Sequence, residues 1–414
     1  MKELMQYLGT SFTAYHAVDN ARALLLQEGF EELRESEKWA LAAGKRYFVV
    51  RGGSALIAFT AGDARKGFKI VASHTDSPAL KLKENAALSD GNCTRLNTEP
   101  YGGGLWYTFF DRPLRLAGRV VRERENGLVS ESFASKFLVT LPSLAIHLNR
   151  TANEKFAPEA QKDLPLLSLG AADFSGVTGD ALSYDLFAAC AQEPYLWGEN
   201  DEFLAAPRID NLTSVYASLT TLAQGANGVC VAACLDSEEV GSRTRQGAAG
   251  DFLSCVLRRI ALSQGMDEEE LLRAFAASFC ISLDNAQGFH PNHGEKYDPQ
   301  ERAYLGKGVA IKGHAGGAYT TDALSSAVIK KVFTLASAPL QVFYNRSDAR
   351  SGSTLGAISL GQVCILTVDI GLPQLAMHSA VESIACADYA ALEAGLCAFW
   401  QCELHIDGEN AVIR

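Results

Sequence analysis

Apolar and polar residues alternate with two different periods along the chain. Residues 15–28 and 210–222 repeat apolar side chains every three or four positions, which predicts amphipathic helices. Short apolar runs typical of strands lie at 47–51, 55–61, 68–74, 228–235, 278–283, 340–345 and 364–371. The four later runs are continuously apolar, as in strands that are buried on both faces beneath helices. The pattern therefore predicts an α/β protein.

The middle of the chain has a different pattern of apolar and turn-forming residues. Residues 91–200 contain short strand-like pieces separated by turn-rich segments, which predicts a mainly β region. The simplest assembly is a discontinuous α/β domain formed by residues 1–88 and 203–414, interrupted by a β insertion at 91–200. A chain of 414 residues is long enough for two such lobes.

Composition and charge narrow the classes of function. The net charge of −11 disfavours nucleic acid or an anionic membrane surface as the main partner. No apolar stretch approaches the roughly 18 to 20 residues that span a bilayer, and the N-terminus has no apolar signal region. The ten cysteines form no CxxC motif, and many lie in apolar runs. They predict reduced thiols in a cytoplasmic protein.

Residues with catalytic or metal-binding chemistry follow several predicted strands or precede a helix. These residues are His74, Asp76, Asp210, Glu238, Glu239, Asp284 and His378. Ligands bind at the carboxyl ends of strands in open α/β sheets, so we expect these side chains to converge. Imidazoles and carboxylates without a thiol suit zinc, cobalt or manganese in a catalytic site. Because carboxylates outnumber imidazoles, two cations that share a bridging carboxylate are favoured.

Each of these residues alone has a simpler interpretation. A histidine after a strand is more often structural, and Asp210 would be an ordinary helix N-cap. A pair such as Glu238 and Glu239 is usually a solvated turn. If that pair is extended, its side chains point to opposite faces, which predicts two different roles. The metal-site hypothesis depends on all of these residues occurring together.

Seven longer motifs occur in a fixed order. They are SHTDSPALKLK (73–83), EPYGGGLWYTFFDRPLRLAGRV (99–120), LPSLAIHLNR (141–150), EFLAAPRIDNL (202–212), LDSEEVGSRTRQGA (235–248), HPN (290–292) and DIGLPQLAMHSAVE (369–382). Together they resemble the aspartyl aminopeptidase family of dinuclear zinc exopeptidases. The resemblance implies a zinc-exopeptidase-like α/β/α catalytic domain with an inserted dimerisation domain. It also implies a tetrahedral dodecamer built from dimers.

The resemblance implies a ligand set for two divalent metal ions, in the first place Zn²⁺, with Co²⁺ or Mn²⁺ as alternatives. His74, Asp210 and Asp284 would bind one ion. Asp210, Glu239 and His378 would bind the other, so Asp210 would bridge the two ions.

The resemblance also implies roles outside the ligand set. Glu238 would be the general base, and Asp76 would orient the imidazole of His74. His147 would reach into the active site of a neighbouring subunit. Lys312 and Tyr319 match positions that contact the peptide substrate.

Two stretches depart from the family pattern. Gln287 stands where the family usually has a histidine, and residues 313–318 differ from a polar stretch of the family. Both stretches match regions where substrate is recognised, whereas the ligand and base positions are kept. We therefore expect hydrolysis of N-terminal residues from peptides, and the preference for aspartate or glutamate stays open. Two alternatives also stay open, namely a related hydrolase such as an N-acyl amino acid deacylase, and a non-catalytic assembly protein.

Overall fold

The computed structural model describes residues 1–89, 93–168, 175–349, 352, 354, 356 and 362–414. The α-helices in this part of the chain are α1 (Lys2–Thr10), α2 (Ala14–Gln27), α3 (Ala160–Asp163), α4 (Ser175–Thr178), α5 (Ile209–Gln224), α6 (Phe252–Ser263), α7 (Glu268–Ala276), α8 (Ala323–Leu335) and α9 (Cys386–Gln401). None of these described helices combines the length and the apolarity needed to cross a bilayer.

A nine-stranded mixed sheet forms the centre of the molecule. Its strands are β1 (Glu31–Leu33), β2 (Arg46–Arg51), β3 (Ala55–Thr60), β4 (Phe68–His74), β13 (Val229–Leu235), β14 (Phe279–Leu283), β16 (Val309–Gly313), β17 (Leu340–Tyr344) and β18 (Leu366–Gly371). They are arranged in the order β1-β2-β3-β13-β4-β14-β18-β16-β17. The four adjacent strands β13, β4, β14 and β18 are parallel, so their carboxyl ends lie at one edge.

Both faces of this sheet are buried. In β13, Val231 and Ala233 pack into one core, while Ala232 and Cys234 pack into the other. Side chains of α1, α2, α5, α8 and α9 belong to one core, and side chains of α6 and α7 belong to the other. Because successive strand residues face opposite sides, only a continuously apolar strand can fill both cores.

A six-stranded antiparallel sheet has its own hydrophobic core. It contains β5 (Ala79–Ser89), β6 (Thr94–Tyr101), β7 (Leu114–Arg124), β8 (Gly127–Val139), β9 (Leu166–Ser168) and β10 (Ala181–Cys190), in the order β8-β7-β10-β5-β6-β9. Leu116, Val120 and Leu186 are fully buried in this core. The first strand begins at Ala79, whereas residues 90–92, where the insertion is predicted to begin, lie outside the described part of the chain.

Two smaller sheets complete the described fold. One has the order β11-β12-β20-β19-β15 and contains β11 (Tyr195–Trp197), β12 (Phe203–Ala206), β15 (Ala286–Gln287), β19 (Pro373–Leu375) and β20 (Glu382–Ala385). The other is the hairpin of β21 (Leu404–Asp407) and β22 (Asn410–Ile413). None of the ten cysteines, all of which lie in the described ranges, forms a disulfide bond. The architecture agrees with the predicted α/β fold that has a separate, mainly β part.

Candidate metal centre

The predicted metal ligands lie at the ends of neighbouring elements. His74 is the last residue of β4, and Asp284 immediately follows β14. Glu239 lies in a short 3₁₀ helix, Glu238–Val240, shortly after β13. Asp210 is in the first turn of α5, and His378 lies between β19 and β20. The sheet edge therefore brings together residues that are far apart in the sequence, as the sequence predicts.

Asp210 lies between the two histidines. Its Oδ1 atom is 3.4 Å from His74 Nε2, and its Oδ2 atom is 3.6 Å from His378 Nε2. Asp284 Oδ1 is also 3.4 Å from His74 Nε2, and Glu239 Oε1 is 3.3 Å from His378 Nε2. Each imidazole thus faces a pair of carboxylates, and Asp210 is a member of both pairs.

Two oxygen atoms of this cluster have no other partner. Asp210 Oδ1 and Glu239 Oε1 are buried and accept no hydrogen bond. Ligand atoms of His74, Asp210 and Glu239 all lie within 4.8 Å of one another. Burying a carboxylate oxygen without a donor or a cation is costly. The donor set and these orphaned oxygens therefore fit divalent cations, and the absence of thiolates fits catalytic zinc.

The electrostatics of the cluster show how closely its members are coupled. Burial alone would lower the pKa of His378, but the nearby carboxylates of Asp210 and Glu239 outweigh it and raise that pKa to about 10. Burial favours a neutral Asp210, but its contacts with His378 and His74 are stronger and lower its pKa. Burial raises the pKa of Glu239 well above the usual value. Metal ligands must be deprotonated, so binding of a cation here would release protons.

Asp210 does not cap its helix. The N-cap of α5 is Arg208, and Asp210 lies inside the first turn with non-helical dihedral angles. Its backbone conformation turns the carboxylate towards the two histidines instead of towards the helix amides. The simpler interpretation of Asp210 as an N-cap is therefore wrong.

The two adjacent glutamates occupy different environments. They lie in a helical turn, so the assumption of an extended backbone is wrong for this pair. Glu239 contacts His378, whereas the carboxylate of Glu238 forms no hydrogen bond or ion pair with any described residue. Burial raises the pKa of Glu238 to about 7. One carboxylate thus contacts a histidine of the cluster, whereas the carboxylate of its neighbour has no hydrogen-bond or ion-pair partner among the described residues.

Asp76 contacts both His74 and the backbone of the glutamate pair. Its Oδ1 atom is 3.4 Å from His74 Nδ1, and its backbone oxygen is 3.0 Å from the same nitrogen. Its two carboxylate oxygens accept hydrogen bonds from the backbone amides of Glu238 and Glu239, at 3.0 and 3.1 Å. Tyr101 donates a further hydrogen bond to Asp76 at 2.8 Å. Asp76 therefore joins β4 to the glutamate turn.

Comparison with known families decides the class of the protein. The family model described as Aminopeptidase I zinc metalloprotease (M18) matches residues 7–173 and 161–400. The chain belongs to the M18 family. The predicted aspartyl aminopeptidase family is thereby confirmed, and so is the prediction of a zinc-dependent aminopeptidase.

Curated relatives support the same assignment over nearly the full chain. A probable M18 family aminopeptidase 2 from Clostridium acetobutylicum is 41% identical over 416 residues, which cover 95% of this chain and 96% of the relative. A protein of the same description from Pseudomonas aeruginosa strain UCBPP-PA14 is 39% identical over 421 residues, with coverages of 96% and 97%. The alignment therefore includes both the nine-stranded sheet and the antiparallel sheet.

Solved structures confirm the fold class. A chain in the Ape4 and Nbr1 complex has a TM-score of 0.91 at 31% identity, covering 96% of this chain and 85% of that chain. An M18 aminopeptidase from Thermotoga maritima has a TM-score of 0.85 at 23% identity, with coverages of 97% and 95%. The mApe1 dodecamer of S. cerevisiae has a TM-score of 0.81 at 23% identity, with coverages of 96% and 95%. The last two likenesses concern the fold alone.

The three predicted substrate contacts of this M18 aminopeptidase differ in position. Lys312 is fully buried, and its Nζ atom lies 3.3 Å from Asp284 Oδ2 and 3.3 Å from the backbone oxygen of Asn285. The same ammonium is 5.1 Å from the centre of the Tyr319 ring. His147 is exposed in the antiparallel part and forms no hydrogen bond, ion pair or ring contact with a described residue. Lys312 and Tyr319 thus adjoin the cluster of candidate ligands, whereas His147 does not contact it within one chain.

The sequence reasoning missed Glu382. This residue is buried, and its carboxylate accepts hydrogen bonds from the backbone amides of Asp210 and His378. It is the final residue of the DIGLPQLAMHSAVE motif, four positions after His378. The available signal in the sequence was an acidic residue at the start of a buried strand, but only the fold shows which backbone amides its carboxylate binds.

Proposed function

We propose that this M18 aminopeptidase removes N-terminal residues from peptides, and that the enzyme uses two zinc ions and Glu238 as the general base. The observation that carries the proposal is the position of Asp210, because each of its oxygens faces a different histidine. One ion would be held by His74, Asp210 and Asp284, and the other by Asp210, Glu239 and His378. Cobalt or manganese could occupy the same donors.

Peptide hydrolysis needs a polarised carbonyl, a nucleophile and a proton carrier. Zinc held by these residues would supply Lewis acidity for the scissile carbonyl and the attacking water. Glu238 then takes the proton of that water and gives it to the leaving amine. Burial raises the pKa of Glu238 above that of a free glutamate, which favours its uptake of a proton. The carboxylate of Asp76 accepts a hydrogen bond from the backbone amide of Glu238 and so holds the backbone of Glu238 in place.

Recognition of an acidic N-terminal side chain is a separate part of the proposal. Lys312 provides a buried positive charge beside Tyr319, although that charge already contacts Asp284. Gln287 lies exposed in β15, where the family usually has a histidine, and an amide can donate a hydrogen bond to a substrate carboxylate but carries no charge. We therefore propose a preference for aspartate and glutamate that depends mainly on Lys312.

A panel of aminoacyl anilides tests this preference. Aspartyl and glutamyl anilides are compared with their neutral isosteres, asparaginyl and glutaminyl anilides, in the presence of zinc, cobalt or manganese. The expected result is a higher kcat/KM for each acidic substrate than for its isostere. Equal or higher values for the neutral isosteres would contradict the preference. N-acyl amino acids in the same panel test the deacylase alternative, which predicts that blocked amines are the better substrates.

We also propose that the antiparallel part mediates dimerisation and that dimers assemble into a tetrahedral dodecamer. Apolar side chains are exposed there, with Leu128 at 68% and Leu148 at 74% exposure. His147 lies between two exposed apolar residues, Ile146 and Leu148, so burial of this segment by a partner would bring His147 into an interface. The free thiols fit a cytoplasmic location.

A mixed oligomer tests the role of His147. His147→Ala and Glu238→Gln chains are co-expressed with different affinity tags, and only oligomers that carry both tags are purified. If His147 acts in a neighbouring site, a mixed oligomer contains sites with an intact Glu238 from one chain and an intact His147 from the other. Activity well above that of either variant alone is expected. Activity equal to the mean of the two variants would contradict a shared site, and a fully active monomer in light scattering would contradict the assembly.

A further inference from the structure

Glu382 uses both carboxylate oxygens to hold the backbone beside the metal cluster. Its Oε2 atom accepts a hydrogen bond from the amide of Asp210 at 2.9 Å, and its Oε1 atom accepts one from the amide of His378 at 2.7 Å. The residue is only 1% exposed and begins β20. No described Lys, Arg or His nitrogen lies within ion-pair distance of it. The two backbone amides are therefore the direct partners of this buried carboxyl group.

The two amides belong to separate elements. Asp210 is in the first turn of α5, whereas His378 lies in the segment between β19 and β20. His378 has a φ angle of 65°, in the left-handed region that residues other than glycine rarely adopt. A carboxylate that binds its amide stabilises this unusual backbone. Glu382 thus links the backbone of His378 to the backbone of Asp210.

We propose that Glu382 is a positioning residue for one of the two metal sites, the site formed by Asp210, Glu239 and His378. This inference rests on the ligand sets of the proposed function. Each carboxylate oxygen of Glu382 already accepts a hydrogen bond from a ligand's backbone amide, so we assign Glu382 the role of holding ligands and not of binding the ion. It raises the affinity of that site by keeping two ligands from different elements at a fixed spacing before the ion arrives. Asp76 has a corresponding position near the other site, where it holds the glutamate turn beside His74.

Asp388 provides a matched control. It is also a fully buried carboxylate that accepts two backbone hydrogen bonds, from Gly306 at 2.7 Å and Gly308 at 2.6 Å. It lies in the first turn of α9 and contacts none of the predicted ligands. Asp388→Asn therefore reproduces the loss of a buried carboxylate clamp without touching the metal cluster. A difference between the two variants isolates the effect of position from the effect on folding.

The experiment measures zinc binding to the full-length protein by competition with a chromophoric chelator. Parent, Glu382→Gln and Asp388→Asn proteins are compared, and their thermal unfolding is recorded without metal and with saturating zinc. We expect Glu382→Gln to weaken one of the two zinc equivalents at least tenfold and the other less. We expect Asp388→Asn to lower the Tm without changing either zinc affinity by more than about twofold. Zinc affinities of Glu382→Gln within twofold of the parent would overturn the inference, as would an equal loss in Asp388→Asn.

A second measurement needs no variant and covers the case in which Glu382→Gln does not fold. Hydrogen exchange of the metal-depleted parent protein is followed by mass spectrometry over short peptides that contain Asp210 and His378. Slow exchange of both amides is expected, and fast exchange of either would overturn the inference. A parent protein that binds fewer than two zinc ions would instead refute the ligand sets of the proposed function. The two failures are therefore distinguishable.

Discussion

Replacing Glu238 with glutamine removes the proposed proton acceptor and keeps the size of the side chain. Its carboxylate forms no hydrogen bond or ion pair with a described residue, so the substitution breaks no contact of the fold. Burial already disfavours the charge and raises the pKa to about 7, so a neutral amide should leave the free energy of unfolding unchanged or slightly higher. The effect on the rate of hydrolysis should be large, because general-base catalysis accelerates reactions by about 10² to 10⁴. We therefore expect kcat to fall by that factor, which is about 3 to 5 kcal/mol in the barrier.

Glu239→Gln is the matched comparison, since it changes the neighbouring residue in the same way. Glu239 Oε1 is 3.3 Å from His378 Nε2 and has no hydrogen-bond donor, as expected of a ligand atom. The assay combines kcat on one anilide with zinc per chain by elemental analysis. Glu238→Gln should retain the parent zinc content and lose turnover, whereas Glu239→Gln should lose zinc and turnover together. A fully active Glu238→Gln protein would refute the assignment of the base, and loss of zinc only in Glu238→Gln would show that the two roles are reversed.

Three further predictions concern stability and local geometry. Burial lowers the pKa of His16 to about 4, so the unfolded chain binds a proton at this residue more tightly than the folded chain does. The contribution of neutral His16 to stability is therefore present above pH 6.5 and is lost as the pH falls towards 4. In denaturant titrations between pH 8 and pH 5, the free energy of unfolding of His16→Gln should fall by up to about 2 kcal/mol less than that of the parent. A methyl group on Gly371 would lie 1.8 Å from the backbone oxygen of Asp284. Gly371→Ala should therefore displace Asp284 and weaken zinc binding in the chelator competition. An unchanged zinc affinity would contradict this prediction. The buried ammonium of Lys69 donates hydrogen bonds to the backbone oxygens of Trp400 and Cys402 at 2.5 and 2.8 Å. Lys69→Met should therefore lower the free energy of unfolding by about 2 to 3 kcal/mol in urea titrations. The kcat of the refolded variant should be unchanged.

The strands of the central sheet could be predicted because they are buried on both faces. The apolar run at 68–74 coincides with β4, and the run at 228–235 differs from β13 by one residue. A strand between two helical layers has apolar side chains at successive positions, and this pattern is visible in the sequence alone. The helix predicted at 15–28 likewise corresponds to α2. Local periodicity was sufficient for these elements.

The order of the strands and the contacts of the buried charges could not be predicted in this way. β13 lies between β3 and β4, although its sequence position is far from both. Such pairing depends on long-range packing, which a local pattern does not encode. The same applies to the contact between Lys312 and Asp284 at 3.3 Å, which the sequence pattern does not indicate. Glu382 was missed for the same reason, because its partners are backbone amides of two distant segments.

The residue types at the strand ends gave the candidate ligands, whereas their pairing came from the family resemblance and not from the residue types themselves. Two histidines and three acids in the sequence do not by themselves indicate which carboxylate is shared. In the structure, Asp210 is the carboxylate that faces both His74 and His378. The shared position of Asp210 is the central claim of the proposed two-metal mechanism.

Titration of metal-depleted protein with zinc tests this claim most directly. Peptidase activity and bound zinc are measured at each addition, for the parent and for Asp210→Asn. The proposed mechanism predicts that activity of the parent appears with added zinc and reaches its maximum at two equivalents per chain, and that Asp210→Asn binds both equivalents more weakly. Full activity at one equivalent, or an Asp210→Asn protein that loses only one zinc ion, would contradict a shared Asp210.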